Sequence, residues 1–149
     1  VVNELLNVAS PNKVYFGLKD YQQFKIIEKL IDKSFSDIQI YGVETVRDQD
    51  GLALSSRNKL INKPNREIYI NFINTMNKFI SNFDSETEIQ DANQKLNSFL
   101  KESIDQIKKF EYCEFRSVED MSMNGKVKNS RLFMAFYILN TRLIDNLKT

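Results

Sequence analysis

Two polar clusters hold the residues best suited to chemistry. The first reads GLKDYQQ, Gly17 to Gln23, and the second reads DGLALSSRN, Asp50 to Asn58. Lys19 and Arg57 supply positive charge, Ser55 and Ser56 supply hydroxyls beside a guanidinium fork, and Asp20 can accept from hydroxyl groups. Such a set positions and neutralises phosphate oxygens, and none of its members need be a nucleophile. Each cluster also has a plain structural reading. Asp20, with Gln23 three residues on, fits a helix capping box, and spacing alone favours that role. Lys19 by itself would be a solvated surface lysine, and Asp50 with Gly51 would simply make a turn.

The elements that would carry these clusters follow from apolar spacing. Val1, Leu5 and Val8 mark one face of a helix already under way at the first residue, so a fragment is expected. Ser10 and Pro11 break it, and Val14, Tyr15 and Phe16 form a short apolar run ending at Gly17, as a buried parallel strand would. Residues 20–33 read as a helix through Phe24, Ile27 and Ile31, and residues 38–43 as a second strand. Strand, helix, strand is the unit of a parallel α/β sheet, in which ligands sit beyond the carboxyl ends of the strands. GLKDYQQ, directly after a strand and opening a helix, therefore sits where amide N–H groups and the helix dipole favour an anion such as a nucleotide phosphate. Gly17, Gly42 and Gly51, three of only four glycines, fall in the same region, where backbone bends sharply or approaches something closely.

Periodicity disappears from Thr45 to Lys63. The domain boundary is expected there, with residues 1–47 before it, a loop at 48–63 and a small α+β domain at 64–149. Pro64 suits a first helical turn, and Ile68, Phe72, Met76, Ile80 and Phe83 mark an amphipathic helix. A second helix is expected behind a Ser85–Glu88 capping box, burying Ile89, Ala92, Leu96, Leu100, Ile104 and Ile107. Residues 110–116 read as a strand, Asn124–Gly125 as a turn, Leu132 to Leu139 as an apolar strand and Arg142 to Asp145 as a short final strand. Phe133, Ala135 and Tyr137 are expected in the core, as is Cys113, a small apolar residue rather than a reactive thiol.

Composition narrows the function classes. Among 149 residues, 42% hydrophobic, 21 are basic and 20 acidic, so the net charge is +1 and there is no electrostatic footprint for nucleic acid. The chain contains no histidine, so it holds no Ser-His-Asp or Cys-His nucleophile and no histidine-ligated zinc. One cysteine cannot form an internal disulfide, and no apolar run approaches the ~18 residues of a membrane span, so a cytoplasmic address is expected.

Taken together and in order, YFGLKDYQQ, then IQIYGVE, then TVRDQDGLALSSRN, the clusters resemble the pantothenate synthetase family. That family runs YFG-x-KDYQQ, a strand, then TVR-x-x-DGLA-[LM]-SSRN. The similarity extends from VVNELLNVASPNKVYFG to TRLIDN, thinly between about residues 65 and 110. One departure is Leu18, where the family usually carries Glu or Gln.

The resemblance implies the second half of a Rossmann-like nucleotidyltransferase domain followed by a small lid-like domain, usually in a homodimer. It implies a cytoplasmic ligase that uses ATP and Mg²⁺ to join pantoate to β-alanine through pantoyl adenylate, a step toward coenzyme A. Carried over by position, Gly17, Leu18, Lys19, Asp20, Val46, Leu54, Ser55, Ser56 and Arg57 would line the ATP site, with Lys19, Ser55, Ser56 and Arg57 facing phosphate. Gln23 would bind pantoate, and the SSRN loop would pack little and move. Arg47 is either a further cation at the loop entrance or a surface or hinge arginine. The family's histidine motif would precede Val1, so the chain alone is expected to bind ATP weakly and to expose an apolar face or edge of its sheet. The competing readings are a catalytically silent nucleotide-binding or assembly module and another adenylate-forming nucleotidyltransferase.

Overall fold

The computed structural model describes residues 1–103, 107 and 109–149. The chain divides into two compact units, Val1–Val46 and Arg47–Thr149, which puts the whole of residues 48–63 in the second.

In the first unit, helix α1 (Val2–Ala9) precedes strand β1 (Lys13–Gly17), a 3₁₀ turn (Leu18–Asp20), helix α2 (Tyr21–Ser34) and strand β2 (Gln39–Val43). The two strands pair in parallel, from Lys13 opposite Gln39 to Gly17 opposite Val43. Leu6 of α1 and Ile27 and Ile31 of α2 form its core, with Val14, Phe16, Ile38 and Ile40 packed against them. Strand side chains alternate between faces, so Tyr15 and Tyr41 lie on the opposite face. They stack on one another with centroids 5.3 Å apart and remain 64% and 41% exposed.

The second unit packs helices α3 (Lys63–Ile80) and α4 (Ile89–Ser103) on an antiparallel sheet of β3 (Lys109–Ser117), β4 (Ser130–Ile138) and β5 (Thr141–Lys148), with β4 in the centre. The Asn62 side chain caps α3 by accepting from the Asn65 amide, and Pro64 lies in the first turn, where no N–H is needed. The Ser85–Glu88 capping box is not formed. The Ser85 hydroxyl donates to Glu86, Asp84 caps the preceding turn, and Glu88 pairs as backbone with Lys126 just ahead of α4. Ile89, Ala92, Leu96 and Ile107 are buried and Leu100 half-buried; Ile104 lies outside the described residues.

Tyr69, Phe72 and Met76 of α3 meet Leu132, Met134 and Phe136 of β4 in the main core. Phe133 and Ala135 are buried on the other face of β4, whereas Tyr137 is only half-buried. Edge strand β3 is held by Asn93 of α4. Its amide group donates to the Phe115 carbonyl at 3.1 Å and accepts from the Phe115 N–H at 2.7 Å, pairing two backbone groups on a strand edge. Cys113 packs against this core, and burial, helped by Glu114, pushes its thiol up to about 12, which keeps it an unreactive thiol. Strand β5 is twice the expected length. Its buried polar pair, Asp145 and Asn146, interrupts the apolar run that sequence reading relies on.

The register of β3 slips between Phe110 and Tyr112, and Glu111 in the bulge accepts from Arg142 at 2.7 Å and from the Tyr137 hydroxyl at 2.7 Å. The Arg142 and Tyr137 bonds hold the Glu111 carboxyl down at about 2, against an ordinary value of 4.5. A depressed carboxyl stabilises the fold above its unfolded value and loses that contribution as pH falls toward its folded one. Glu111→Gln should therefore unfold at lower urea than the parent chain near neutral pH, and the gap should close as pH falls from about 4.5 to about 2. A gap independent of pH would show that the carboxylate charge contributes nothing.

Candidate functional site

In the first unit the GLKD segment forms the 3₁₀ turn that joins the carboxyl end of β1 to the start of α2. Asp20 occupies the position before α2, but its side chain makes no capping bond. The capping-box reading of Asp20 and Gln23 therefore fails. With φ −100° and ψ 64°, Asp20 lies outside the usual extended geometry of a cap, so its carboxylate is not aimed back at the first-turn amides. Both side chains are exposed, and among the described residues Gln23 has no side-chain hydrogen bond. Gly17 and Lys19 lie in the same strand-to-helix turn, and Val46, at the end of the unit, is 62% exposed.

Leu18 has a visible packing role. A Cβ built on Gly42 of β2 would stand 2.6 Å from Leu18 Cδ2 and 3.0 Å from its Cγ, so the absence of a side chain at Gly42 makes room for Leu18. The close approach anticipated at this glycine is made by the protein's own turn. The 3₁₀ turn carrying Lys19 and Asp20 is thus packed against β2 through Leu18.

In the second unit the loop begins with a tightly bonded turn. The Gly51 amide donates to the Asp48 carbonyl at 3.0 Å, Asp48 Oδ1 accepts from the Asp50 and Leu52 amides, and Gly51 takes φ +83°, which glycine tolerates without strain. Arg66, in the first turns of α3, pairs with both Asp48 and Asp50. Burial opposes ionisation of Asp48, but its bonds from Arg66 and the loop amides outweigh this and lower its pKa. Leu52 and Ala53 are 1% and 2% exposed. The expectation of a loop with little packing is therefore corrected for its first half, because Leu52 belongs to the main core.

The second half carries the predicted phosphate group. Leu54 is 52% exposed, and a 3₁₀ turn spans Ser56–Leu60. Ser55 caps that turn by accepting from the Arg57 amide at 3.2 Å, which leaves its hydroxyl proton able to donate outward. Ser56 and Arg57 are exposed, and among the described residues the Arg57 guanidinium has no ion-pair partner. Asn58 turns inward and donates from Nδ2 to the Ala53 carbonyl at 3.1 Å. Ser55, Ser56 and Arg57 are brought together on one turn, as are Gly17, Leu18, Lys19 and Asp20 on the other. Among the described residues no group of three His, Cys, Asp or Glu is placed to hold a metal.

Arg47 is neither a surface residue nor a free cation. Its guanidinium grips Asp145 of β5 bidentately, at 2.8 and 2.9 Å, and also donates to the carbonyls of Gly51 at 3.0 Å and Asn146 at 3.2 Å. Asp145 is 2% exposed and also accepts from the Tyr69 hydroxyl and the Asn146 amide. Sequence reading missed Asp145 and Tyr69. The available signal was the alternation in β5, which sets Asp145 on the same face as Leu143 and Leu147 and therefore inside the core.

An α/β unit with a parallel strand pair and an open polar strand-to-helix turn, followed in sequence by an α+β unit that begins with a Ser-Arg loop, narrows the class. Residues 1–148 match the pantoate-beta-alanine ligase family, and the chain belongs to that family. It is 36% identical to the pantothenate synthetase of Aquifex aeolicus and 35% identical to that of a Sulfurihydrogenibium species, in each case over 99% of this chain. It spans about half the length of these curated relatives, 52% and 53% respectively. The fold matches the crystal structure of pantothenate synthetase from Thermus thermophilus with a TM-score of 0.82 at 26% identity, over 99% of this chain and 53% of that one. It also matches the Francisella tularensis pantoate-beta-alanine ligase complexed with beta-gamma ATP and beta-alanine, with a TM-score of 0.63 at 32% identity over 99% of this chain and 47% of that one.

The Leu18–Gly42 contact makes a prediction. Gly42→Ala should push the Leu18 side chain off its present rotamer and loosen the turn, at a cost of about 0.5–1.5 kcal/mol. Leu18→Ala in the same chain should recover most of that loss, as read by hydrogen exchange of the α2 amides. Additive losses would mean that the two residues do not share the space.

Proposed function

We propose that this chain is the carboxyl-terminal portion of an ATP-dependent ligase that condenses pantoate with β-alanine through pantoyl adenylate. Membership of the family is the observation that carries this reading. The open polar turns support it, since Asp20, Gln23 and Arg57 are exposed and not engaged in holding the fold. The Francisella tularensis relative, complexed with beta-gamma ATP and beta-alanine, supports the same substrate classes.

In this reading the first unit is half of a Rossmann-like domain and the second its lid-like companion, in a cytoplasmic homodimer. Gly17, Leu18, Lys19, Asp20, Val46 and Leu54 line the nucleotide, with Asp20 accepting from ribose hydroxyls and Val46 meeting adenine. Gln23 hydrogen-bonds pantoate. A pantoate carboxylate oxygen attacks the α-phosphorus, the bond from that phosphorus to the bridging pyrophosphate oxygen breaks, and pyrophosphate leaves. The amine of β-alanine then attacks the acyl carbon, loses a proton and displaces AMP. Lys19, Ser55, Ser56 and Arg57 offset charge on the departing phosphates, where fixed donors contribute most in the transition state. In this reading Mg²⁺ accompanies the nucleotide and offsets further phosphate charge. The histidine motif of the family has no counterpart among these 149 residues, so the chain is read as inactive without the residues that supply it.

Two variants of the full-length enzyme test this assignment together. Arg57→Ala should slow single-turnover formation of pantoyl adenylate by a hundredfold or so, about 2.7 kcal/mol, without lowering the melting temperature, and Arg57→Lys should recover part of it. Gln23→Ala should lower kcat/KM for pantoate by about tenfold or more. A normal burst from Arg57→Ala with a lowered melting temperature would make that residue structural, and unchanged pantoate kinetics would remove Gln23 from the site.

A further inference from the structure

Asp145, far along the chain from the Ser-Arg loop, is connected to it by an unbroken series of bonds. Its carboxylate accepts from both Arg47 guanidinium nitrogens and from the Tyr69 hydroxyl. Arg47 in turn holds the Gly51 carbonyl with its guanidinium, and its backbone forms an antiparallel bridge with that of Ala53. The Ala53 carbonyl accepts from Asn58, whose own amide donates to the Ser55 carbonyl at 3.1 Å and closes the turn that carries Ser55, Ser56 and Arg57. Every link lies within the second unit. The turn that carries Ser55, Ser56 and Arg57 is therefore tied to β5 at one buried carboxylate, beside the anchors that Leu52 and Arg66 give the loop.

We infer that Asp145, acting through Arg47 and Tyr69, is a positioning residue that holds Ser55, Ser56 and Arg57 in the geometry adenylate formation requires; this rests on the ligase reading of the loop given above. The bond pattern suits that task better than mere fastening. The Arg47 fork fixes direction as well as distance, and its bond to Gly51 places the turn next to β5. The Tyr69 ring is itself held, stacked on Phe136 with centroids 6.0 Å apart, so its hydroxyl has little freedom. Burial and the neighbouring Asp145 charge hold the Tyr69 phenol above its ordinary pKa, so it remains a proton donor to Asp145 across the working range. A displacement of about 1 Å at a group aimed at transferring phosphate can cost on the order of a hundredfold in rate.

The test uses the full-length enzyme with Asp145→Asn, which keeps size and removes charge, and Tyr69→Phe, which keeps the ring and removes the hydroxyl. In Asp145→Asn, adenylate formation should slow by tenfold or more in a single turnover while KM for pantoate stays within about twofold. Exchange of the Leu52 and Ala53 amides should quicken by tenfold or more, with the β3–β4 amides unchanged. Tyr69→Phe should show a smaller change in the same direction and keeps the test decisive if Asp145→Asn does not fold. A normal adenylation rate in either folded variant, or a loss no larger than the fall in folded fraction, would overturn the positioning role alone. Failure of the unmodified enzyme to form adenylate would overturn the ligase reading, and with it this one.

Discussion

The ion pair between Arg47 and Asp145 is the constraint that ties the loop at the start of the second unit to its sheet. Taking two charges out of water costs several kcal/mol per ion, and the cost is recovered only when geometry is good and the remaining lone pairs are satisfied. Both conditions hold here. The Asp145 carboxylate receives two bonds from Arg47, one from Tyr69 and one from the Asn146 amide, which uses about all the accepting capacity of a carboxylate. Burial works against the charge on Arg47, yet the bonds and charge of Asp145 more than offset it and hold the guanidinium pKa above its ordinary value. The pair favours one arrangement of the loop, because an alternative that withdraws Arg47 leaves the buried Asp145 charge without its cation.

The first unit places its turn by packing and strand pairing. Its turn is held by Leu18 lying over Gly42 and by the parallel pairing of β1 with β2, so Asp20 and Gln23 are not consumed as caps. Leaving polar groups unused at a strand-to-helix turn is what a ligand-binding segment requires, since groups already bonded within the fold would have to be released before binding. Both turns share this division of labour. Structural work falls to neighbours such as Leu18, Arg47, Asp48 and Asn58, while Asp20, Gln23, Ser56 and Arg57 remain open.

Much of this was legible in the sequence. Apolar spacing placed β1, α2, β2, α3 and β4 because each alternates or repeats at the period of its element, and the YFGLKDYQQ and SSRN motifs located the two turns. What escaped was non-local. The capping-box spacing at Asp20 and Gln23 and at Ser85 and Glu88 matched a local rule that the backbone did not follow at either place. Arg47 could not be assigned because its partner lies on a strand whose polar residues hide it from hydropathy. Tyr69 stands beside the apolar stripe picked out at Ile68, Phe72 and Met76, and only the fold shows that its hydroxyl meets Asp145.

Arg47 and Asp145 act as one unit, and a double-mutant cycle tests that coupling most directly. Urea unfolding of the second unit would be measured for the parent chain, Arg47→Ala, Asp145→Ala and the pair. Arg47→Ala should cost about 3–5 kcal/mol by stranding the buried Asp145 charge, Asp145→Ala should cost less because Arg47 is only half-buried, and the double change should cost little more than Arg47→Ala alone. Costs that simply add would contradict the account, because they would mean that the two residues stabilise the loop independently.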